Sequence, residues 1–219
     1  MREDAARLTN SIQEETIRII LFGIGTIGAA VKATLQASGH EVRTVSRNPG
    51  ADLLADLTDA KSLRALFERA GAFDSVACAA GDVFPAPLDQ ATDEQWAKAF
   101  ASKAMGQINL VRAALPFIAD RGSFTLISGI VADEPIVGGV IMGTINQTVE
   151  GFVRAAAFEL PRGIRINCVS PTVLAESVAY HPAFPGFAPV AASEVALAYL
   201  RAIATPVNGR VIKLHKTSS

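Results

Sequence analysis

A glycine-rich turn near the start of the chain has the spacing of a phosphate-binding loop. Gly23, Gly25 and Gly28 form the pattern G-x-G-x-x-G directly after an apolar, β-branched run at residues 17–22. In this strand–turn–helix setting the glycines have separate jobs: a tight turn, a bare backbone open to a pyrophosphate, and close helix-on-strand packing. The following helix offers unpaired N–H groups and its positive dipole end to phosphates. The residues predicted to bind a dinucleotide here are Gly23, Gly25, Thr26, Ile27 and Gly28. A turn that serves packing alone is the alternative.

The end of the second predicted strand, residues 41–46, indicates which dinucleotide is preferred. NAD enzymes place a carboxylate there to hold the ribose 2′-hydroxyl. In this chain the position is Ser46, and Arg47 follows it. A carboxylate would repel a 2′-phosphate, whereas a guanidinium binds one through forked, charge-assisted hydrogen bonds. We therefore predict that NADP(H) is preferred over NAD(H). The alternative is that Arg47 is a solvated surface arginine.

The elements that must position these residues alternate between strand and helix. The apolar runs that read as strands are residues 17–22, 41–46, 53–55, 73–79, 123–128, 165–169 and 211–214. Helical patterns between them indicate right-handed βαβ units and a parallel sheet with helices on both faces. We predict an α/β, single-domain Rossmann fold over residues 16–219. Its doubly wound, seven-stranded sheet has the order 3-2-1-4-5-6-7, and residues 1–15 form a polar N-terminal extension.

Composition excludes several classes of function. The chain has 219 residues, a net charge of −1 and a pI near 6.3, which argues against binding to nucleic acid or an anionic membrane surface. Its apolar runs are broken well short of the roughly 18 residues that a membrane span needs, and residues 1–15 lack the apolar core of a signal peptide. Cys78 and Cys168 have no metal-ligand spacing, and the histidines are scattered. We expect reduced thiols, no metal site and a cytoplasmic location.

Several motifs follow the glycine loop in the order and at the spacing of the short-chain dehydrogenase/reductase family. They are Asp56-Leu57-Thr58, Ala79-Ala80-Gly81, Trp96, Ser128 and Gly163-Ile164-Arg165-Ile166-Asn167-Cys168-Val169-Ser170-Pro171. The last run is the most specific match. The chain resembles this family over roughly residues 16–214.

The resemblance implies roles for cofactor-binding residues beyond the glycine loop. Asp56 would accept a hydrogen bond from the adenine amino group, with Leu57 beside the ring. The residues that would line the adenine ribose are Ala79, Ala80 and Gly81, and those that would flank the nicotinamide run from Pro171 to Val173. Asp56 has a second possible role as a helix-start carboxylate beside Thr58, which we predict to cap the next helix. Both roles are compatible.

The chain departs from the family at its catalytic residues. The ordinary mechanism needs a Tyr as proton donor, a Lys four residues later that lowers the Tyr pKa, and an upstream Ser that positions the carbonyl oxygen. Ser128 is present, but Met142 and Asn146 stand at the Tyr and Lys positions. A thioether cannot transfer a proton, and no lysine lies between residues 104 and 212. The chain looks like a shortened branch of the family in which the pair is commonly absent.

One substitution offers compensation. Lys103 stands where the family usually has an active-site Asn, and its ammonium would reach toward Ser128 and the ribose; a solvated helix-face lysine is the alternative. Asn146 would then hydrogen-bond the ribose. The other candidate proton donors, which are commoner as exposed side chains, are Tyr180 and His181 in the loop after Pro171, and Asp133 and Glu134 after Ser128.

Two functions remain open on this reading. The first is an NADP(H)-dependent oxidoreductase that acts on a small carbonyl compound or alcohol and uses a nonstandard proton donor. The catalytic residues of this enzyme would be Ser128 and Lys103. The second is a catalytically inactive NADP(H)-binding sensor or partner protein. Phe184 and Phe187 at the pocket lip suggest an apolar substrate.

The resemblance also implies self-association. Helices 92–115 and 144–160 correspond to those that form the family's dimer interface. The large apolar side chains on them are Trp96, Phe100, Phe152 and Phe158. We expect a homodimer or homotetramer.

Overall fold

Seven parallel strands form one sheet in the order β3-β2-β1-β4-β5-β6-β7, which confirms the predicted topology. The computed structural model describes residues 16–215, so the predicted extension at residues 1–15 lies outside the described residues. The strands are β1 Arg18–Phe22, β2 Glu41–Ser46, β3 Leu53–Leu54, β4 Ser75–Cys78, β5 Ser123–Ile127, β6 Arg165–Pro171 and β7 Val211–Leu214. The chain order reverses between β3-β2-β1 and β4 onward, and in open α/β sheets such a switch point carries the ligand crevice.

Helices cover both faces of this sheet. They are α1 Thr26–Ala37, α2 Ala60–Arg69, α3 Asp93–Ala99, α4 Gly106–Ala114, α5 Val140–Glu159 and α6 Ala192–Ala204. A π-helical segment, Phe100–Met105, joins α3 to α4. Successive β1 side chains belong to opposite cores, since Ile20 packs with α2, α4 and α5 while Ile19 packs with α1 and α6. Burial on both faces explains why the strands read as unbroken apolar runs. Within residues 16–215, no helix is long and apolar enough to cross a membrane.

The two long predicted helices differ from the sequence-based boundaries. The first begins at the predicted Thr92–Gln95 capping box, but the π turn interrupts it. The second begins at Val140 rather than Thr144. Its glycine-rich start resembles a loop in sequence, yet Gly143 serves packing, because a Cβ there would lie 3.0 Å from the carbonyl oxygen of Val131.

The cap of α2 is also one residue later than predicted. Asp59, not Thr58, is the N-cap, and its carboxylate accepts a hydrogen bond from the Lys61 N–H at 2.8 Å. Thr58 instead donates both its N–H and its hydroxyl to Asp56. These two bonds tie Asp56 to a turn that lines the crevice.

The sequence run around β6 is structural. The Arg165 guanidinium donates to the carbonyl oxygens of Ala202 and Ile203 at the end of α6, at 2.9 and 2.8 Å. Asn167 is buried, donates to the Val207 carbonyl at 2.9 Å and accepts from the Arg210 N–H at 3.1 Å. These bonds fix the connection into β7, and they hold the carboxyl end of β6 at the crevice.

Candidate functional site

The three glycines of the loop after β1 have different surroundings. Gly23 has a φ of +105°, and a Cβ there would lie 2.7 Å from the carbonyl oxygen of Ala79. A Cβ on Gly28 would collide with the carbonyl oxygen of Gly23. Gly25 is the N-cap of α1, and apart from its two chain neighbours no residue within 16–215 has an atom within 4 Å of the position of its Cβ. Gly23 and Gly28 therefore serve the turn and the packing, while Gly25 leaves bare backbone beside the first N–H groups of α1. Contact of this loop with a pyrophosphate stays a prediction.

A cavity at the carboxyl ends of β1, β2 and β4 gathers residues that are distant in sequence. Its lining includes these predicted cofactor-binding residues: Gly23, Ser46, Arg47, Asp56, Leu57, Ala80 and Gly81. Phe22, Thr58, Asp82 and Ser102 complete much of the wall. Four predicted contact segments thus meet at one opening, as the resemblance implies.

Charged groups in this cavity are held to different degrees. Asp56 accepts hydrogen bonds of 2.8 Å from the N–H and from the hydroxyl of Thr58. These bonds, with a smaller contribution from nearby Arg47, hold the pKa of Asp56 below its ordinary value. The carboxylate is therefore ionised and oriented at neutral pH. The last residue of β2 is Ser46, so a hydroxyl rather than a carboxylate stands at the end of this strand. This hydroxyl accepts a hydrogen bond from the Asn48 N–H at 3.1 Å.

Lys103 lies at the centre of the π segment and is 8% exposed. Its stem packs beneath Gly81, where a Cβ would lie 2.8 Å from Lys103 Cγ. Its ammonium donates a hydrogen bond to the backbone carbonyl of Ser128 at 3.2 Å. Burial lowers the pKa of Lys103 from 10.5 to about 8. The alternative interpretation of Lys103 as a solvated lysine is wrong, because the side chain points into the sheet edge.

Sequence reasoning missed Gln107, which fixes the position of Lys103. Gln107 is fully buried; its amide accepts from the Ile127 N–H and donates to the Ile127 carbonyl, both at 2.9 Å. The same Nε2 donates to the Lys103 carbonyl at 3.1 Å. The amide therefore clamps the π segment to the end of β5. The available signal was an amide four residues after Lys103 on an otherwise apolar helix face.

The hydroxyl of Ser128 is directed into the protein. It donates a hydrogen bond of 2.8 Å to Oε1 of Glu150 on α5, and both residues are buried. The other oxygen of Glu150 accepts from Arg154 at 2.9 Å. Ser128 thus contributes its backbone carbonyl to Lys103 and its hydroxyl to Glu150, so the structure does not bring this hydroxyl to the open crevice. Glu150 was missed, although an acidic residue on the apolar face of α5 was a signal.

Gly129, rather than Ser128, borders the position of Asn146. A Cβ on Gly129 would lie 3.2 Å from Nδ2 of Asn146. Asn146 is 3% exposed and donates to the Gly129 carbonyl at 3.3 Å, and Met142 lies half-buried one turn earlier on α5. The Oδ1 atom of Asn146 is buried and has no hydrogen-bond partner within residues 16–215. A buried acceptor without a donor is costly, so this oxygen suits a ligand hydroxyl.

A second cavity, of about 750 Å³, lies beyond β6. Its lining includes Ile130, Glu134, Thr172 and a loop segment at residues 185–190. Phe187, in that segment, packs edge-on against Phe184 with a centroid distance of 5.7 Å. Pro171, at the end of β6, and nearby Val173 are both buried. The largely apolar loop thus forms one wall of this cavity.

The remaining proton-donor candidates are either exposed or in contact with other groups. Tyr180 is exposed, and the His181 ring contacts the Leu174 carbonyl at 2.9 Å. Asp133 is paired with Lys213 at 2.9 Å. Within the described residues, no group of three or more His, Cys, Asp or Glu side chains is arranged to hold a metal ion.

Comparison with known sequences gives a consistent set of relatives. A family model described as Enoyl-(Acyl carrier protein) reductase matches residues 11–208. The human protein named Dehydrogenase/reductase SDR family member 2, mitochondrial, is 30% identical over 145 residues, which are 65% of this chain and 50% of the relative. The 2-keto-3-deoxy-L-fuconate dehydrogenase of Xanthomonas campestris is 26% identical over 152 residues, covering 69% of this chain and 49% of the relative. The matched region therefore spans about half the length of these two relatives.

Solved structures resemble the chain over nearly its whole length. The crystal structure of protein lin1944 from Listeria innocua has a TM-score of 0.88 and 39% identity, covering 91% of this chain and all, 100%, of that one. A small-chain dehydrogenase crystallised in complex with NADPH has a TM-score of 0.82 and 26% identity, with coverage of 92% of this chain and 97% of that one.

Proposed function

Because this chain belongs to the short-chain dehydrogenase/reductase family, we propose that it is an NADP(H)-dependent oxidoreductase of a small carbonyl compound or alcohol. The observation that carries the coenzyme preference is Arg47, which lines the cavity at the end of β2, where Ser46 replaces a carboxylate. A half-exposed guanidinium at this position attracts a 2′-phosphate through charge-assisted hydrogen bonds. A 2′-hydroxyl is uncharged, so its attraction to the guanidinium is weaker.

The described residues fit this coenzyme at both ends. Asp56 accepts a hydrogen bond from the adenine amino group, Leu57 packs beside the adenine ring, and the open backbone at Gly25 binds the pyrophosphate. Asn146 Oδ1, the buried acceptor without a partner, receives a hydroxyl of the nicotinamide ribose. Bound NADPH supplies the hydride for carbonyl reduction. The chain's own contribution is orientation of the two reacting groups, exclusion of water by the loop after β6, and a proton.

Lys103 is the proton donor in this proposal. Its pKa of about 8 keeps the ammonium mostly protonated at neutral pH, yet makes it a better acid than an ordinary lysine. Ser128 acts through its backbone carbonyl, which orients the ammonium, and Gln107 holds the segment that carries it. The proton passes to the substrate oxygen directly or through one ordered water.

A second candidate function is a nucleotide-binding sensor or partner without turnover. The positions that border the nicotinamide site in the proposal are Gly129, Met142 and Asn146, and these side chains carry no exchangeable acidic proton. If the ammonium of Lys103 transfers no proton to a bound substrate, the protein binds NADPH and reduces nothing.

Calorimetry with NADPH and NADH, followed by a panel of aldehydes and ketones, tests both candidates. We expect tighter binding of NADPH, a loss of this advantage in Arg47→Ala, and turnover that falls at least about 100-fold in Lys103→Met. Lys98→Met is the matched control, since Lys98 lies exposed on α3 and pairs with Glu94 one turn away. Turnover that survives in Lys103→Met would exclude this lysine as the donor. Tight NADPH binding without turnover on the whole panel favours the sensor.

Self-association through α5 is part of the proposal. Phe158 on α5 is 94% exposed, and Phe152 is only partly buried on the same helix. Trp96 and Phe100 stack with their ring centroids 6.2 Å apart, and Trp96 packs against a buried cluster that includes Ile141 and Ile145 in the amino-terminal half of α5. Burial of the Phe158 side chain between two copies of the chain would remove its apolar surface from water, which favours a homodimer or homotetramer. Light scattering should give a multiple of the chain mass for the unchanged protein and a smaller mass for Phe158→Asp; a monomer throughout would contradict self-association.

The cytoplasmic location stays a prediction, as does the apolar character of the substrate.

A further inference from the structure

Two opposite charges face each other in the cavity at the carboxyl ends of β1, β2 and β4. Arg47 Nη2 and Asp82 Oδ2 are 3.7 Å apart, and their side chains are 57% and 53% exposed. Both residues line the same opening as Ser46 and Asp56. The guanidinium that we assign to the 2′-phosphate is therefore already in contact with a carboxylate of the chain itself.

Asp82 and Asp56 are held differently. The carboxylate of Asp56 accepts two hydrogen bonds of 2.8 Å from Thr58, which fix it to the turn that contains both residues. The backbone N–H of Asp82 donates to the hydroxyl of buried Ser102 at 2.9 Å. Within residues 16–215, the carboxylate of Asp82 accepts a single, long hydrogen bond of 3.4 Å from that hydroxyl. The backbone at Asp82 is therefore anchored while its carboxylate is the less constrained of the two, and it is the one within ion-pair distance of Arg47.

We propose that Asp82 is a coenzyme-specificity residue that limits the preference for NADP(H) set by Arg47. This inference rests on the proposed coenzyme function. A 2′-phosphate that binds Arg47 must displace Asp82 from the guanidinium and then lie close to its negative charge. The 2′-hydroxyl of NAD(H) requires neither step. The displacement is easy, because half-exposed ion pairs at this distance are weak. The repulsion between Asp82 and a dianion persists after it.

The test is Asp82→Asn, which keeps the shape of the side chain and removes its charge. At low ionic strength we expect the Kd of NADPH to fall about five- to tenfold and the Kd of NADH to change less than about twofold. Only NADPH carries the negatively charged 2′-phosphate that Asp82 repels. Added salt should shrink the difference. Asp89→Asn is the matched control: Asp89 is an exposed carboxylate that does not line this cavity, and it should change neither Kd.

A double variant separates this inference from the proposed function. In an Arg47→Ala background, Asp82→Asn should still favour NADPH, but by a smaller factor, because the ion pair has already been removed. An unchanged ratio of the two Kd values in Asp82→Asn, or equal gains for both coenzymes, would overturn the role of Asp82. If instead Arg47→Ala itself leaves the ratio unchanged, the proposed NADP(H) preference fails, whatever Asp82 does.

Discussion

The ammonium of Lys103 lies 3.2 Å from the backbone carbonyl oxygen of Ser128, inside the carboxyl edge of the sheet. A carbonyl dipole replaces only part of the hydration that a buried ammonium loses. The nearby thiols of Cys78 and Cys168 do not help at neutral pH, because burial raises the pKa of each to about 12. The low pKa of Lys103 therefore follows from burial of the ammonium, which no paired carboxylate among the described residues offsets. It has consequences for both activity and stability.

The rate of carbonyl reduction should depend on the protonation of Lys103. We expect kcat to be flat from about pH 6 to 7.5 and to fall roughly tenfold for each pH unit above about 8, since the donor is then deprotonated. Alcohol oxidation, which needs the neutral amine, should rise over the same range. A pH–rate profile in both directions makes the measurement. A reduction rate that stays constant to pH 9.5 would argue against Lys103.

The stability of the fold should depend on the same group. The unfolded chain protonates Lys103 with a pKa near 10.5 and the folded chain with one of about 8, so the penalty for a buried ammonium is fully present below pH 8. Between these values the unfolded state binds more protons, and the stability of the native state rises with pH. Lys103→Met should therefore exceed the unchanged protein in unfolding free energy by up to about 3 kcal/mol at pH 7. The gap should close toward pH 10.5.

Urea unfolding at pH 7, 8.5 and 9.5 measures this gap directly. Other titrating groups cancel when the variant is compared with the unchanged protein at each pH. Lys98→Met provides the control and should shift stability by less than about 0.5 kcal/mol at every pH, because exposed i,i+4 pairs contribute little. A Lys103→Met variant that is less stable at pH 7 would show that the ammonium has a partner worth more than its desolvation.

Ser128→Ala distinguishes a structural hydroxyl from a catalytic one. The substitution leaves Glu150 buried with Arg154 as its remaining side-chain donor, so we expect a loss of about 1–3 kcal/mol in unfolding free energy. The affinity for NADPH should stay within about twofold, because the hydroxyl is turned away from the crevice. Denaturation and calorimetry give the two numbers. Unchanged stability together with a loss of turnover above about 100-fold would instead support the role predicted from sequence.

The fold was predictable because its signals are local. The apolar run before Gly23 and the three glycines after it determine a strand, a turn and a helix within a few residues, and repeated units of this kind give the sheet order. The direction of the Ser128 hydroxyl was not predictable, since it depends on Glu150, which lies on a different element. The π segment around Lys103 has no compositional signature, and the contact of Lys103 with Ser128 required the family resemblance to suggest it. Tertiary contacts decided these details.

Two glycine substitutions separate the packing role of the loop from its binding role. Gly28→Ala introduces a Cβ that collides with the Gly23 carbonyl, so α1 must shift and we expect a loss of more than about 3 kcal/mol in unfolding free energy. The added methyl group of Gly25→Ala meets open space, so this substitution should change the unfolding free energy by less than about 1 kcal/mol.

The methyl group of Gly25→Ala nevertheless lies where a pyrophosphate must approach the backbone, and we expect the affinity for NADPH to fall at least about tenfold. Thermal unfolding and NADPH titration of both variants make the comparison. Full NADPH affinity in a well-folded Gly25→Ala would mean that the phosphates do not approach this turn, and the proposed coenzyme site would have to be abandoned.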